Sequence, residues 1–557
     1  MSKALTMDSF SRNAVENFVQ TVVFVDDKIY APSPKGTVRE DIKAIAPKAR
    51  KPATKSAEGK IIDISDNPSQ KLEEITSFSP HDIQASFAKK HIVCSLHQPL
   101  KTNSVGIESD TYKLCASADI VIVDWDLYGD AGEKAKFLIE NLVLQSLKED
   151  PHQLRLVLIY TDNLNLFDIA DKVSEKLTAK IPDGIEYKEA DKGLAFHTLN
   201  ARVVVLGKPA KRVEEFKLFE VDEADLADRA VSEFCKLTDG LLQSGVLMGL
   251  ATIRKQSRKI LTKFHSGLDA AFLTHRALGL PHEEAFDHIT PLLVAEIEAV
   301  LNDTLPIPLI DNSIIENWCK EKWASTEHAK QFISKGIDVH EFAKDFCTKG
   351  MGIADNYSSE NKSDLAKTIK GLKDKSPKWP SADAPSFKML TSYLSKDSSG
   401  SGLRELSVLM SQRTYYGDGR HLTLGTIIRE SGGDKRYLLC LQPTCDSVRL
   451  TKTSTFIFCL LSMAKGEKAT HVVGDGKTFT DLIYKPEIEN CITLTFKPSK
   501  GFVTANKLEF ADHPGGQGYQ WIAQLKPKHA QRAAEQFARV LSRVGLTESE
   551  WLRLKAK

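Results

Sequence analysis

At 557 residues the chain is long enough for about three domains, each with its own core. Its charge is balanced, 75 Lys and Arg against 74 Asp and Glu, which excludes a bulk electrostatic claim on nucleic acid or an acidic membrane. No stretch approaches about 18 uninterrupted apolar residues, so no membrane span is expected, and Met1-Ser2-Lys3-Ala4-Leu5-Thr6 lacks the apolar core of a secretory signal.

In chain order, residues 8 to 19 read as a short helix leading into the strand Val22-Val23-Phe24-Val25, which ends on the acidic pair Asp26-Asp27. Residues 31 to 60 are rich in Pro, Lys, Ala and Ser without periodicity and read as a solvated surface loop. A helix near 80 to 90, a strand at 91 to 95 and a helix at 109 to 117 follow. The strand Ile120-Val121-Ile122-Val123 then runs into Asp124-Trp125-Asp126-Leu127, with Gly132 beyond, and a helix is expected at 133 to 147. Leu156-Val157-Leu158-Ile159-Tyr160 ends on Thr161, and Val203-Val204-Val205-Leu206-Gly207 ends on Lys208-Pro209. Each apolar run delivers a polar residue, as a buried parallel strand does at the carboxyl edge of its sheet, where open α/β sheets bind ligands. The βα alternation itself argues for a parallel, doubly wound sheet.

From about 212 to 372 apolar residues recur three and four apart (Leu226, Ala230, Phe234, Leu237, Leu241), which reads as a helical domain. Residues 373 to 384, with Lys373-Asp374-Lys375-Ser376-Pro377, read as a linker. The part from 385 to 557 begins helical and turns to strands at 422 to 428, 436 to 441 and 492 to 496. A small curved antiparallel sheet or barrel is expected, closed by an amphipathic helix at 527 to 544 and a turn at 547 to 554. Nine scattered cysteines without a Cys-x-x-Cys pair fit reduced thiols in a cytoplasmic protein rather than zinc ligands.

The four strand ends suit phosphoryl chemistry. Asp26, Asp27 and Asp124 would place up to three negative charges together, a cluster strained without a divalent cation. Mg²⁺ prefers one or two carboxylates with water and phosphate oxygens. A carboxylate can act as the nucleophile that forms an aspartyl phosphate. Lys208 supplies a point charge and Thr161 a neutral donor for phosphoryl oxygens.

This order of parts resembles the receiver domain of two-component response regulators. The resemblance implies that Asp124, in Asp-Trp-x-Leu with Gly132 eight residues on, is the phospho-acceptor. It implies that Asp26 and Asp27 bind the metal with Asp124, that Asp126 turns its backbone carbonyl to the same ion, that Thr161 is the switch hydroxyl, and that Lys208-Pro209 is the family's lysine-proline ending of the last strand. The implied fold is multidomain α/β + α + β. A flavodoxin-like receiver spans 1–211 with an insertion at about 31–78 and a second at roughly 180 to 198. A helical domain (212–372), the linker (373–384) and a mostly antiparallel β-rich domain with C-terminal helices (385–557) follow. Two departures stand out: Tyr128-Gly129 replaces the proline that often follows the acceptor motif, and Val205 replaces the aromatic often found three residues before the lysine. The family's usual aromatic switch is therefore not expected.

The long early insertion, the Asp-Trp motif and Ile159-Tyr160-Thr161 are similar to receivers of bacterial antiphage systems, in particular the buffering regulator of Detocs-type phosphorelays. This resemblance implies a sensor histidine kinase as partner, a second receiver protein carrying an effector, Mg²⁺ as cofactor, and no enzyme activity beyond the receiver's own phosphorylation and dephosphorylation. No membrane or nucleic-acid partner is expected. Two other outputs remain open: an enzyme in the C-terminal part controlled by the receiver, and a DNA-binding transcriptional regulator, which would need a basic recognition helix.

Overall fold

The structure is a computed structural model. It describes residues 6–30, 79–102, 104–148, 154–181, 187–198, 200–278, 289–305, 309–321, 339–350, 391, 394–395, 401–417, 419–432, 435–464, 469–474, 478–510, 516 and 518–542. The expected early insertion at about 31–78, the linker at 373–384 and the last turn at 547–554 therefore lie outside the described residues. The chain divides into two compact units, Met1–Trp318 and Cys319–Lys557.

The first unit is built on a seven-stranded sheet. Its strands are β1 (Thr21–Val25), β2 (Val93–His97), β3 (Ile120–Val123), β4 (Arg155–Thr161), β5 (Lys188–Ala190), β6 (Ala195–His197) and β7 (Ala201–Gly207), in the order β2-β1-β3-β4-β7-β6-β5. The first five in that order are parallel; the apolar runs of β1, β3, β4 and β7 suit strands buried on both faces, whereas β2, at the edge, is partly exposed. Every residue of β3, β4 and β7 is buried. The expected insertion before the last strand includes the antiparallel hairpin β5–β6, which extends the sheet beyond β7.

Helices α1 (Met7–Phe18), α2 (Pro80–Ala88), α3 (Asp110–Ser117) and α4 (Glu133–Lys148) fall within a few residues of their expected spans, and α5 (Leu166–Thr178) follows β4 where no helix was expected. Four start on side-chain caps that satisfy free backbone N–H groups: Thr6, Ser79, Ser109 and Asn165. Two more helices, α6 (Leu226–Leu237) and α7 (Leu241–Lys263), follow β7. The change of periodicity near 212 is real, but the hydrophobic core runs across it. Phe216, Phe219, Leu226, Val231, Phe234 and Leu247 share one core with the sheet residues. Arg254 of α7 also donates to Asp119 Oδ1 at 3.0 Å, just before β3.

The second unit is an antiparallel sheet of eight strands: β8 (Thr426–Glu430), β9 (Tyr437–Cys440), β10 (Ser454–Met463), β11 (His471–Gly474), β12 (Phe479–Tyr484), β13 (Cys491–Phe496), β14 (Glu509–Phe510) and β15 (Tyr519–Gln524). Ten-residue β10 pairs with β9 on one side, while its other side is shared by β13 and β12. Alternation sorts the side chains onto two faces. Ile427 and Leu439 join Ala530, Ala533 and Phe537 of the helix Pro527–Leu541, whereas Ile428 and Leu438 join Phe456, Phe458 and Phe496. The expected strand at 422 starts four residues late because Gly425, at φ +85°, interrupts the run.

Candidate functional site

Strand register brings the four sequence signals to one edge. Val25 of β1 pairs with Val123 of β3, so Asp26 and Asp124 are the next residues on adjacent strands. Thr161 pairs with Gly207, which puts Lys208 one step past the end of the sheet, its N–H donating to the Thr161 carbonyl at 2.7 Å. Since β1, β3, β4 and β7 are neighbours in that order, these ends form a single cleft floor.

The Lys208 ammonium lies 2.7 Å from Asp124 Oδ1 and 3.0 Å from Asp26 Oδ2. Both carboxylates are buried, Asp26 completely. The remaining oxygens are held by backbone: Asp26 Oδ1 accepts from Lys28 N at 2.7 Å, Asp124 Oδ2 from Asp126 N at 3.2 Å, and Asp27 Oδ2 from Tyr128 N at 2.9 Å. Asp27 Oδ1 is buried with no donor in reach among the described residues. One carboxylate oxygen from each of Asp26, Asp27 and Asp124 lies within 4.8 Å of the others.

Burial pushes the Asp124 carboxyl up, the Lys208 ammonium pulls it back, and the Asp26 carboxylate pushes it up again, leaving it at about 7. Burial opposes the charge on Lys208, yet Asp124 and Asp26 outweigh it and hold the amine above the ordinary lysine value.

The loop after β3 explains why a glycine must stand at 132, after Asp124-Trp125-Asp126-Leu127. Trp125 is buried, and its indole packs against Gly132, where a Cβ would come within 2.2 Å of Cε2. Gly132 also sits at φ +87°, and Tyr128 and Gly129 are left-handed at +65° and +75°. That turn carries the Tyr128 N–H to Asp27, a task that proline, which lacks the N–H, could not perform at that position.

Residues 18–213 match the family model described as a response receiver domain. These residues form a receiver domain. No match was found among the curated proteins or among the solved structures. A receiver domain supports a two-component response regulator, and such domains generally bind Mg²⁺ at an acidic site.

The residues of this receiver fit that ion. Three converging carboxylates, one with an oxygen that has no donor among the described residues, form a hard, negatively charged oxygen set of the kind Mg²⁺ takes. The structure thus brings together Asp26, Asp27, Asp124 and Lys208. Thr161 is buried at the adjoining strand end, where its Oγ1 accepts from Asn163 N at 3.2 Å, and no hydrogen bond joins it to the three carboxylates. The exposed Asp126 side chain accepts from Ala131 N within the same loop. Val205 is fully buried in β7, opposite Ile159.

Sequence reasoning missed three neighbours. Lys28 faces the rim: its ammonium is 3.3 Å from Asp162 Oδ2, and although burial opposes its charge, Asp162 and Asp124 raise its pKa. A cation directly after the acidic pair was the available signal. Tyr160 places its ring 5.5 Å from the Lys208 ammonium, and Arg212 wraps the carbonyls behind Thr161 and Lys208. No local pattern marks either, because both act through segments distant in sequence.

Among the described residues, no helix is long and apolar enough to cross a membrane.

Proposed function

We propose that this protein accepts a phosphoryl group on Asp124 from the phosphohistidine of a sensor histidine kinase. The observation that carries the reading is the single Lys208 ammonium shared by Asp124 and Asp26 beside the donor-poor Asp27. A carboxylate oxygen of Asp124 attacks phosphorus, the P–N bond breaks, and its electron pair returns to the departing imidazole. Mg²⁺, held by Asp26, Asp27 and Asp124 with the Asp126 carbonyl, would offset the like charge of nucleophile and phosphoryl group. Lys208 transfers its contact from carboxylate to phosphoryl oxygen, and the Thr161 hydroxyl supplies a second donor once it leaves Asn163.

The test uses the full chain with Mg²⁺ and a small phosphodonor. One hydroxylamine-labile phosphoryl group should appear and be lost in Asp124→Asn. Equal labelling of Asp124→Asn would overturn the assignment.

We further propose that the phosphoryl group is drained rather than used, so that the protein buffers an antiphage phosphorelay beside a second receiver that carries an effector. Support comes from the resemblance in Asp124-Trp125, Ile159-Tyr160-Thr161 and the long early insertion. In cells carrying the whole relay, Asp124→Ala should then cause toxicity without stimulus, and normal growth would refute buffering. An effector role is the second reading, and a cavity of about 730 Å³ in the second unit favours it. Arg413, Arg429, Tyr437, Gln520 and Trp521 line that cavity, and neither arginine forms an ion pair among the described residues.

A further inference from the structure

Arg212 lies four residues past Lys208, and its side chain is completely enclosed. The guanidinium donates from Nε to the Asn163 carbonyl at 2.8 Å, from Nη2 to the Thr161 carbonyl at 3.0 Å, and from Nη1 to the Lys208 carbonyl. Two of these carbonyls belong to the switch hydroxyl and the phosphoryl-binding lysine. Nη1 also reaches Glu220 Oε1 at 3.1 Å. Only the planar five-donor fork of arginine can serve so many acceptors in one place. Gly207 makes the room, since a Cβ there would lie 2.6 Å from Nη1 and 2.8 Å from Cζ.

Glu220 belongs to a segment that returns to the same sheet edge. It forms a parallel bridge with Gly207, and Val221 N donates to the Gly207 carbonyl at 3.0 Å. The hydroxyl of Tyr160, the residue before Thr161, donates to the Val221 carbonyl at 2.7 Å. The chain then enters α6, whose apolar face lies in the receiver core. Two links therefore connect the reactive edge to residues 220 and 221: one through Arg212, one through Tyr160.

We propose that Arg212 is a positioning residue that couples phosphorylation of Asp124 to residues 213 to 225, in place of an aromatic switch at Val205. This rests on Asp124 being the acceptor. A phosphoryl group adds about two negative charges and three acceptor oxygens beside Lys208 and Thr161. As those side chains turn to it, their backbone carbonyls shift, and the enclosed guanidinium carries the shift to Glu220.

The experiment follows hydrogen exchange in residues 213 to 225 of the full chain, with and without Mg²⁺ and beryllium fluoride as phosphoryl mimic, alongside Asp124 labelling by a small phosphodonor. In the native chain exchange should change about tenfold, the size of a typical coupling between sites. Arg212→Gln should label within about threefold of native while the segment's response falls below about twofold. Glu220→Gln keeps the three carbonyl bonds and should show the same split, which a purely structural role would not produce. A native-size response in either variant would overturn the coupling, and in particular Glu220→Gln decides if Arg212→Gln fails to fold. A native chain that takes neither label nor mimic refutes the acceptor reading instead, and the coupling with it.

Discussion

Replacing Lys208 with methionine should tighten Mg²⁺ binding even as it removes the ammonium proposed to hold the phosphoryl group. The ammonium is 2.7 Å from Asp124 Oδ1 and 3.0 Å from Asp26 Oδ2, so a cation sharing those carboxylates would sit roughly 4 Å from it. At an effective dielectric near 20, a double and a single charge about 4 Å apart repel by about 8 kcal/mol before anything relaxes. The lysine side chain can swing away and water can enter, so a remainder of about 1.4 to 3 kcal/mol is expected, which is roughly ten- to a hundredfold in affinity. Isothermal titration with MgCl₂ on the full chain measures it, each protein being compared on its own plateau above its pH break. Asp27→Asn and Asp124→Asn should bind more weakly than native, because each removes a ligand charge. The pH dependence has a definite sign. The Asp124 carboxyl titrates at about 7 because burial and Asp26 outweigh Lys208. Its ionised form is the ligand, so native affinity should be flat above about 7 and fall by up to about tenfold per pH unit below it. Asp124→Asn should flatten that break. In Lys208→Met the break should move to higher pH, since the cation that opposed burial is gone. Equal or weaker Mg²⁺ binding in Lys208→Met would refute the electrostatic account of the site.

Gly132→Ala forces a Cβ to within 2.2 Å of the Trp125 indole at a backbone φ of +87°, so the receiver should lose about 2 to 4 kcal/mol in urea denaturation. Glu233→Ala strips the buried Arg202 guanidinium of bonds at 2.7 and 2.9 Å, and a loss of about 3 kcal/mol is expected, near the lower end for a broken buried pair because Asp191 remains as a partner. Val205→Ala removes two methyl groups from a fully buried site and should cost about 1 to 3 kcal/mol while leaving Asp124 labelling nearly native. A chain ending at Trp318 should fold and take label on Asp124, because Met1–Trp318 is one compact unit with its own core; an insoluble or unlabelled fragment would contradict that.

The parallel receiver sheet was legible because its information is local. Runs such as Ile120–Val123 and Arg155–Thr161 suit strands buried on both faces, and the polar residue that ends each run marks the carboxyl edge. Gly132 was legible for a similar reason, since the left-handed turn beside Trp125 tolerates little else. The spans of α1, α2 and α3 came out close because the caps lie next to the runs they start, whereas α5 was not anticipated. The second unit was readable as an antiparallel sheet, but the sharing of one side of β10 by β13 and β12 was not, because each pairing joins residues far apart in the chain.

The sequence by itself determined which residue types stand at the strand ends, and hence the chemistry they could perform. Only the tertiary structure decided how they meet. Lys208 reaches Asp124 across 84 positions and Asp26 across 182, and strand order and register set both meetings. The same holds for Arg212, whose isolated position gives no hint of the carbonyls it holds, and for α6, whose apolar stripe shows that it is buried but not against what. Periodicity records the burial of one face. The partner of that face, and the charge a carboxylate keeps there, depend on groups brought together by the whole fold.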